Sequence, residues 1–366
     1  MPLDKRYQFS SLVKGNALPW VVAVGGIVLG IAVAFAAVGG WLTPHKLTPS
    51  RIIDAFEEVN GLHPGFRRNH AKGVCITGSF ASNGQGVALS KAAIFQAGSV
   101  PVVGRVALAD GVPDIPDGPA NVRSMGLSFR LPSGEEWRTG MVDIPIFPFR
   151  DAASFYGLLK ASAPNLQTGK PDPAKKQAYF AQHPETAAAL KVIMATPFAS
   201  GFANTSFNSL DAFLFVNAAE EPTPVRWSMV ASDSFIAEAS GQVDTSDRNY
   251  LFDAFADRLK RGPVQWHLVI TLGQAGDTTS DATIAWPETR HKIDVGTLTI
   301  DHIEPERPGN CRDINFDPLV LPVGIEGSDD PLLSARSATY AQSFRRRAGE
   351  AKTPSAVQLD QPGKVP

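Results

Sequence analysis

Two groups of four strand-like runs, separated by a helical stretch, constrain the fold of this 366-residue chain more than any other feature. The first group lies at 73–80, 100–108, 122–131 and 137–147, the second near 210–217, 224–232, 264–272 and 292–300. Each run is short and apolar or alternating, and Gly, Pro and Asp turns bound the runs. Between the groups, residues 151–160 and 173–194 carry helical patterns, the second broken at Pro184. Eight antiparallel strands with flanking helices predict an α+β architecture built on an eight-stranded barrel, which closes its own edges and can hold a ligand near its mouth.

A helix is also expected before the first strand, where Ile52, Ile53, Phe56 and Val59 recur at helical spacing. Residues 301–331, rich in Pro, Gly and Asp, read as a wrapping loop. A further helix follows them, because Ser328, Asp329 and Asp330 offer N-caps before the first-turn Pro331. The polar, Pro-containing end, 351–366, reads as a disordered tail.

No charge interrupts Ala17–Leu42, which as a helix would extend on the order of 36 Å, enough for a hydrocarbon layer of ~30 Å. Lys5, Arg6 and Lys14 precede it, so the positive-inside rule puts residues 1–16 in the cytoplasm and everything after the span outside. Trp20 and Trp41 sit near its two ends, as interfacial aromatics do. This predicts a single-pass inner-membrane anchor of bacterial type, with the domain at 50–350 facing the periplasm. The small residues of AFAAVGG leave a cleaved, periplasmic form as the alternative.

A formal charge of −2 leaves no nucleic-acid footprint, and 43% hydrophobic residues suit a globular core. Cys75 and Cys311 lack CxxC spacing and read as two unpaired thiols. No GxxxxGK[ST], HExxH, GxGxxG or GxSxG motif is present, which leaves phosphate-cradling, zinc-peptidase and hydrolase readings without an anchor.

The chemistry concentrates in two stretches, FRRNHAKG at 66–73 and RSATY at 336–340. An imidazole with a pKa near neutrality suits proton transfer, making His70 a candidate general acid and base. A phenol ligates well only once deprotonated, and Arg336 lies one helical turn before Tyr340 on the same face, where a cation favours the phenolate. Together they could supply the two sides of a haem.

The flanks carry a family resemblance. RNHAKGVCITGSF (68–80) resembles the distal-His strand of haem catalases, and PIFPFRD (145–151) the segment after their distal Asn. The most specific match is INFDPLVLPVGIEGSDDPLLSARSATYAQSFRRR (314–347), which resembles their proximal-helix region. The likeness spans roughly residues 50–348, too short for the threading arm and extra helical domain of a full catalase, and so looks like a minimal catalase-related peroxidase. It implies haem b held by Tyr340 as iron ligand, with Arg67, Arg105 and Arg347 toward the propionates, Arg336 beside the ligand and Phe155 packed on the distal face. It also implies a hydroperoxide substrate and a small reductant. Two departures stand out. Ala107 replaces the usual Ser partner of the catalytic His, and Asp143 stands where catalases carry their distal Asn. An ionised Asp143 would favour imidazolium at His70 and disfavour dismutation, so a weak catalase and better peroxidase is expected. True dismutation, hydroperoxide isomerisation and a haem-binding barrel without turnover are the alternatives.

Overall fold

In a computed structural model, residues 17–39, 42, 46–165, 167–238 and 247–359 are described. The expected cytoplasmic head at 1–16 and the last tail residues, 360–366, lie outside them. In chain order the elements are α1 (Ala17–Val38), α2 (Pro49–Asn60), β1 (Gly73–Ser82), β2 (Gly98–Leu108), β3 (Arg123–Arg130), β4 (Glu136–Val142), α3 (Ala152–Ser162), α4 (Pro173–Gln182), α5 (Pro184–Ala195), β5 (Phe207–Asn208), β6 (Phe213–Val216), β7 (Pro222–Ala231), α6 (Tyr250–Lys260), β8 (Val264–Leu272), β9 (Lys292–Pro305), β10 (Ile325–Gly327) and α7 (Pro331–Ala348). The chain divides into two compact units after Arg51. In the first, Leu18–Val38 has a mean hydropathy of 2.7 and is long and apolar enough to cross a membrane, a description that an anchor and a signal sequence share.

The second unit is a closed antiparallel barrel. Its ring runs β1, β2, β3, β4, β5, β7, β8, β9 and back to β1, and β6 with β10 continues the sheet beside β7. Strand alternation fixes the inside. On β4, Trp137, Thr139 and Met141 are buried while their neighbours are partly exposed. Trp137, Trp227 and Trp266 fill the core together with Phe80, Phe129 and Phe213. Burying an aromatic side chain of this size is worth roughly 1.5–3 kcal/mol, so this core is the main source of barrel stability.

Four expectations require correction. The wrapping loop begins later than expected, because β9 extends to Pro305, and it contains the short β10. Helix α6 had no counterpart in the sequence reading. It packs Leu251, Phe252 and Phe255 into the core. Cys75 and Cys311 are not free thiols, since they form a disulfide across 236 residues of chain. Finally, the segment 351–359 is docked rather than disordered. Val357 is fully buried in the main core, and Thr353 Oγ1 donates to the Pro64 carbonyl at 3.0 Å.

Candidate functional site

The basic stretch around His70 is pinned at both ends. Arg68, 5% exposed, bonds Glu57 at 2.8 Å and also grips Glu350. Lys72, 1% exposed, donates to Asp117 at 2.7 Å, to Ile115 O at 2.8 Å and to Arg248 O at 2.6 Å. These cations are structural anchors, not a solvated face. Between them His70 takes a left-handed backbone conformation with φ 56°, and its amide donates to Asn69 Oδ1 at 3.0 Å. A non-glycine residue holds such a conformation where its surroundings over-determine it, as the flanking anchors do here.

Helix α7 presents the opposite set. Asp330 caps it by accepting from Leu332 N at 2.9 Å, and Pro331 opens its first turn. Along one face it carries Arg336, Tyr340 and Arg347 to a cavity of about 390 Å³. That cavity is also lined by Arg67, His70, Arg105 and Phe155. Seven of the eight site residues expected from sequence thus converge on one space. Phe155 packs against Phe149 at 4.9 Å and Phe56 at 5.4 Å between ring centres, as a wall of that space.

Asp143 is the exception. Its neighbours Val142 and Ile144 line the cavity, whereas its carboxyl turns to Arg123, accepting from the Arg123 amide at 2.8 Å and lying 3.5 Å from its guanidinium. Glu238 holds that same guanidinium at 2.5 Å. Burial pushes the Asp143 carboxyl up to about 7, against the attraction of Arg123. With its carboxyl paired to Arg123, Asp143 does not supply the negative charge expected beside His70. Burial instead pushes the imidazole down to about 3, helped by Arg105, Arg67 and Arg336. His70 is held neutral. Its Nδ1 is buried without a hydrogen-bond partner. Ser124, the cross-strand partner of Ala107, brings a hydroxyl into the cavity wall but gives it to the Ala107 carbonyl at 3.3 Å.

The arginines form two groups. Arg336 ion-pairs with Asp211, donates to Gly140 O at 3.0 Å, and has its guanidinium carbon 5.8 Å from the ring centre of Tyr340. Arg67, Arg105 and Arg347 make the second group around one carboxylate, Glu306. Arg105 forks onto Glu306 at 2.8 and 3.0 Å. Arg67 and Arg347 donate to a row of loop carbonyls, Arg67 to Cys311 O at 3.2 Å and Ile314 O at 3.0 Å, Arg347 to Arg312 O and to Ile314 O at 3.3 Å. Burial and the neighbouring guanidiniums of Arg347 and Arg105 lower the pKa of Arg67 well below the ordinary arginine value, while burial brings Arg347 down to about 10. Buried like charges of this kind call for an anionic ligand.

The residues present fit a haem. Arg67 Nε is a buried donor without a partner, and three guanidiniums share one carboxylate, a surplus of positive charge suited to two propionates. The floor is flat, because Gly126 and Gly140 are paired across β3 and β4. A Cβ at Gly126 would lie 3.0 Å from the Phe316 ring, and one at Gly140 would lie 3.4 Å from Arg336 Nη2 and 3.9 Å from Tyr340 Oη. The sequence reading missed Glu306, Asp211, Ser124 and Phe316. Phe316 stands inside the 314–347 stretch without any signal of its role; Glu306, Asp211 and Ser124 stand in no motif, and only the folded chain brings Ser124, Asp211 and Phe316 to the cavity and Glu306 to Arg105.

Comparison with known proteins agrees with this arrangement. The sequence model of the Catalase family matches residues 47–360. A catalase-related peroxidase of Synechococcus elongatus is 36% identical over 339 residues, covering 92% of this chain and 98% of that protein. A catalase-related peroxidase of Mycolicibacterium paratuberculosis is 31% identical over 306 residues, covering 83% and 96%. Among solved structures, a bacterial catalase superposes with a TM-score of 0.69 at 21% identity, over 78% of this chain and 58% of that one. Catalase A from Saccharomyces cerevisiae gives the same TM-score at 18% identity, over 85% and 68%. The chain belongs to the catalase family.

Proposed function

We propose that this chain is a haem b peroxidase that reduces organic hydroperoxides or hydrogen peroxide with electrons from a small external donor. The convergence of His70, Tyr340 and a buried arginine cluster on one cavity carries the reading, and the two relatives named catalase-related peroxidases support it. Tyr340 would ligate the iron, Arg67, Arg105 and Arg347 would hold the carboxylates, and Gly126 and Gly140 would leave room for the ring. Bound haem supplies the redox-active iron at which a peroxide is reduced.

The protein's own groups manage the proton. A neutral His70 can accept the hydroperoxide proton at a ring nitrogen and return it to the departing oxygen, which then leaves as water or an alcohol. Phe56, Phe149 and Phe155 exclude water from that exchange and suit an organic substituent on the peroxide. Between Val142 and Ile144 the wall offers no amide, since Asp143 faces Arg123, so nothing at that position orients a second peroxide for dismutation. Oxygen evolution and dye oxidation measured on one haem-loaded preparation test the reading. Strong dye oxidation with little oxygen is expected, and vigorous oxygen release with poor dye oxidation contradicts it.

We also propose that the domain at 50–350 works on the periplasmic side of an inner membrane, anchored by α1 or released after cleavage. The uncharged helix and the cations before it support an anchor, and a disulfide fits an oxidising compartment.

A further inference from the structure

The disulfide joins two parts of the site that no hydrogen-bond ladder connects. Cys75 lies on β1, five residues after His70, and its cross-strand partner on β2 is Arg105. Cys311 begins the short turn at 311–313, whose carbonyls, with that of Ile314, receive Arg67 and Arg347. Phe316, two residues further on, shares a small buried cluster with both cysteines, lines the cavity, and lies under the guanidinium of Arg67 at 5.6 Å. Arg105 is therefore linked to the disulfide through strand register, Arg67 through the Cys311 carbonyl, and Arg347 through the adjoining carbonyls of Arg312 and Ile314. Beyond its own turn hydrogen bonds, that loop is tied to its surroundings by side-chain contacts. Arg312 donates to Gly65 O at 3.1 Å, and Asn310 donates to Glu304 at 3.1 Å and to Pro305 O at 3.0 Å.

We propose that Cys75–Cys311 is a positioning element for the cofactor: it fixes the 311–314 carbonyls that aim Arg67 and Arg347, and its reduction loosens the grip on the haem carboxylates. The proposal rests on the haem reading above. In the reductive step a dithiol gives two electrons and two protons, the S–S bond becomes two thiols, and the dithiol closes to its own disulfide. Both sulfurs belong to buried residues, Cys75 at 1% and Cys311 at 0% exposure, so a folded, loaded molecule resists reduction, and the step acts on molecules that open or are still folding.

The test is the rate at which haem passes to excess apomyoglobin. It compares the full chain with Cys75→Ala/Cys311→Ala, and with wild-type protein refolded around haem in excess dithiothreitol, which keeps both sulfurs and lacks only the bond. Supporting groups behind a cofactor's direct contacts typically alter affinity by about 10- to 100-fold, so release from both stapleless forms is expected to be at least about tenfold faster, with an unchanged far-ultraviolet spectrum. A merely stabilising crosslink is separated by Arg347→Gln, placed in both backgrounds. Positioning predicts that it speeds release much less when the disulfide is already absent, because coupled groups are non-additive. Equal release with and without the disulfide overturns the proposal, as does an Arg347→Gln factor that is the same in both backgrounds. Failure of the wild type to hold haem at all overturns the parent reading and this one with it.

Discussion

Arg336 lies over the ring of Tyr340, one turn away on α7, with its guanidinium carbon 5.8 Å from the phenol ring centre, while Asp211 and the Gly140 carbonyl hold the same guanidinium. The cation is held in place by the barrel, not by the tyrosine. Asp211 and Gly140 both line the cavity outside α7, so the charge beside Tyr340, the proposed ligand, is fixed from beyond its own helix.

Arg336→Leu is therefore expected to weaken haem binding by about 10- to 100-fold and to leave Asp211 as a buried carboxylate without its cation. Asp211→Asn, which keeps the hydrogen-bond shape, should cost less. A spectral titration of haem into the apoproteins measures both. Equal affinities for wild type and Arg336→Leu contradict the role.

His70→Ala should keep haem but slow the first spectral change on mixing with peroxide by roughly 10²–10⁴, the usual contribution of general acid and base help. Stopped-flow absorbance is the measurement. A variant reacting at the wild-type rate shows His70 to be structural.

Asp143 predicts a pH dependence of stability. Its folded value of about 7 lies above the ordinary 3.8, so the folded protein retains a proton that the unfolded chain gives up. That stabilising contribution is complete below about 3.8 and is lost as pH rises through 7. Asp143→Asn cannot lose a proton. Urea unfolding from pH 4 to 8 should show the wild type losing stability relative to the variant as pH rises, and a constant difference across that range contradicts the buried, protonated carboxyl.

Much of this was legible in sequence because strands and helix starts are local. Alternation on β4 reports its inner face, and Asp330–Pro331 marks the first turn of α7 whatever surrounds it. The missing parts depend on distance along the chain or on orientation. Nothing in the spacing of Cys75 and Cys311 announces a bond that only the barrel makes short, and Val357 is one apolar residue in a polar tail. Val142 and Ile144 line the cavity on either side of Asp143, but Arg123 decides which way the carboxyl points.

Anchoring by α1 is checked by fractionation. Protease added to osmotically opened cells should digest the domain, which should remain with the membranes until then. Recovery of the whole domain as soluble protein with a new amino terminus near 37–43 shows cleavage instead.

The central claim is that Tyr340 is the iron ligand in a haem site completed by His70. Its most direct test is the absorption spectrum and haem content of Tyr340→Phe beside the wild type, both loaded under the same conditions. The wild type should show a tyrosinate-type high-spin spectrum at about one haem per chain, and the variant should lose haem or take the spectrum of another ligand. An unchanged tyrosinate-type spectrum with full haem occupancy in Tyr340→Phe contradicts it.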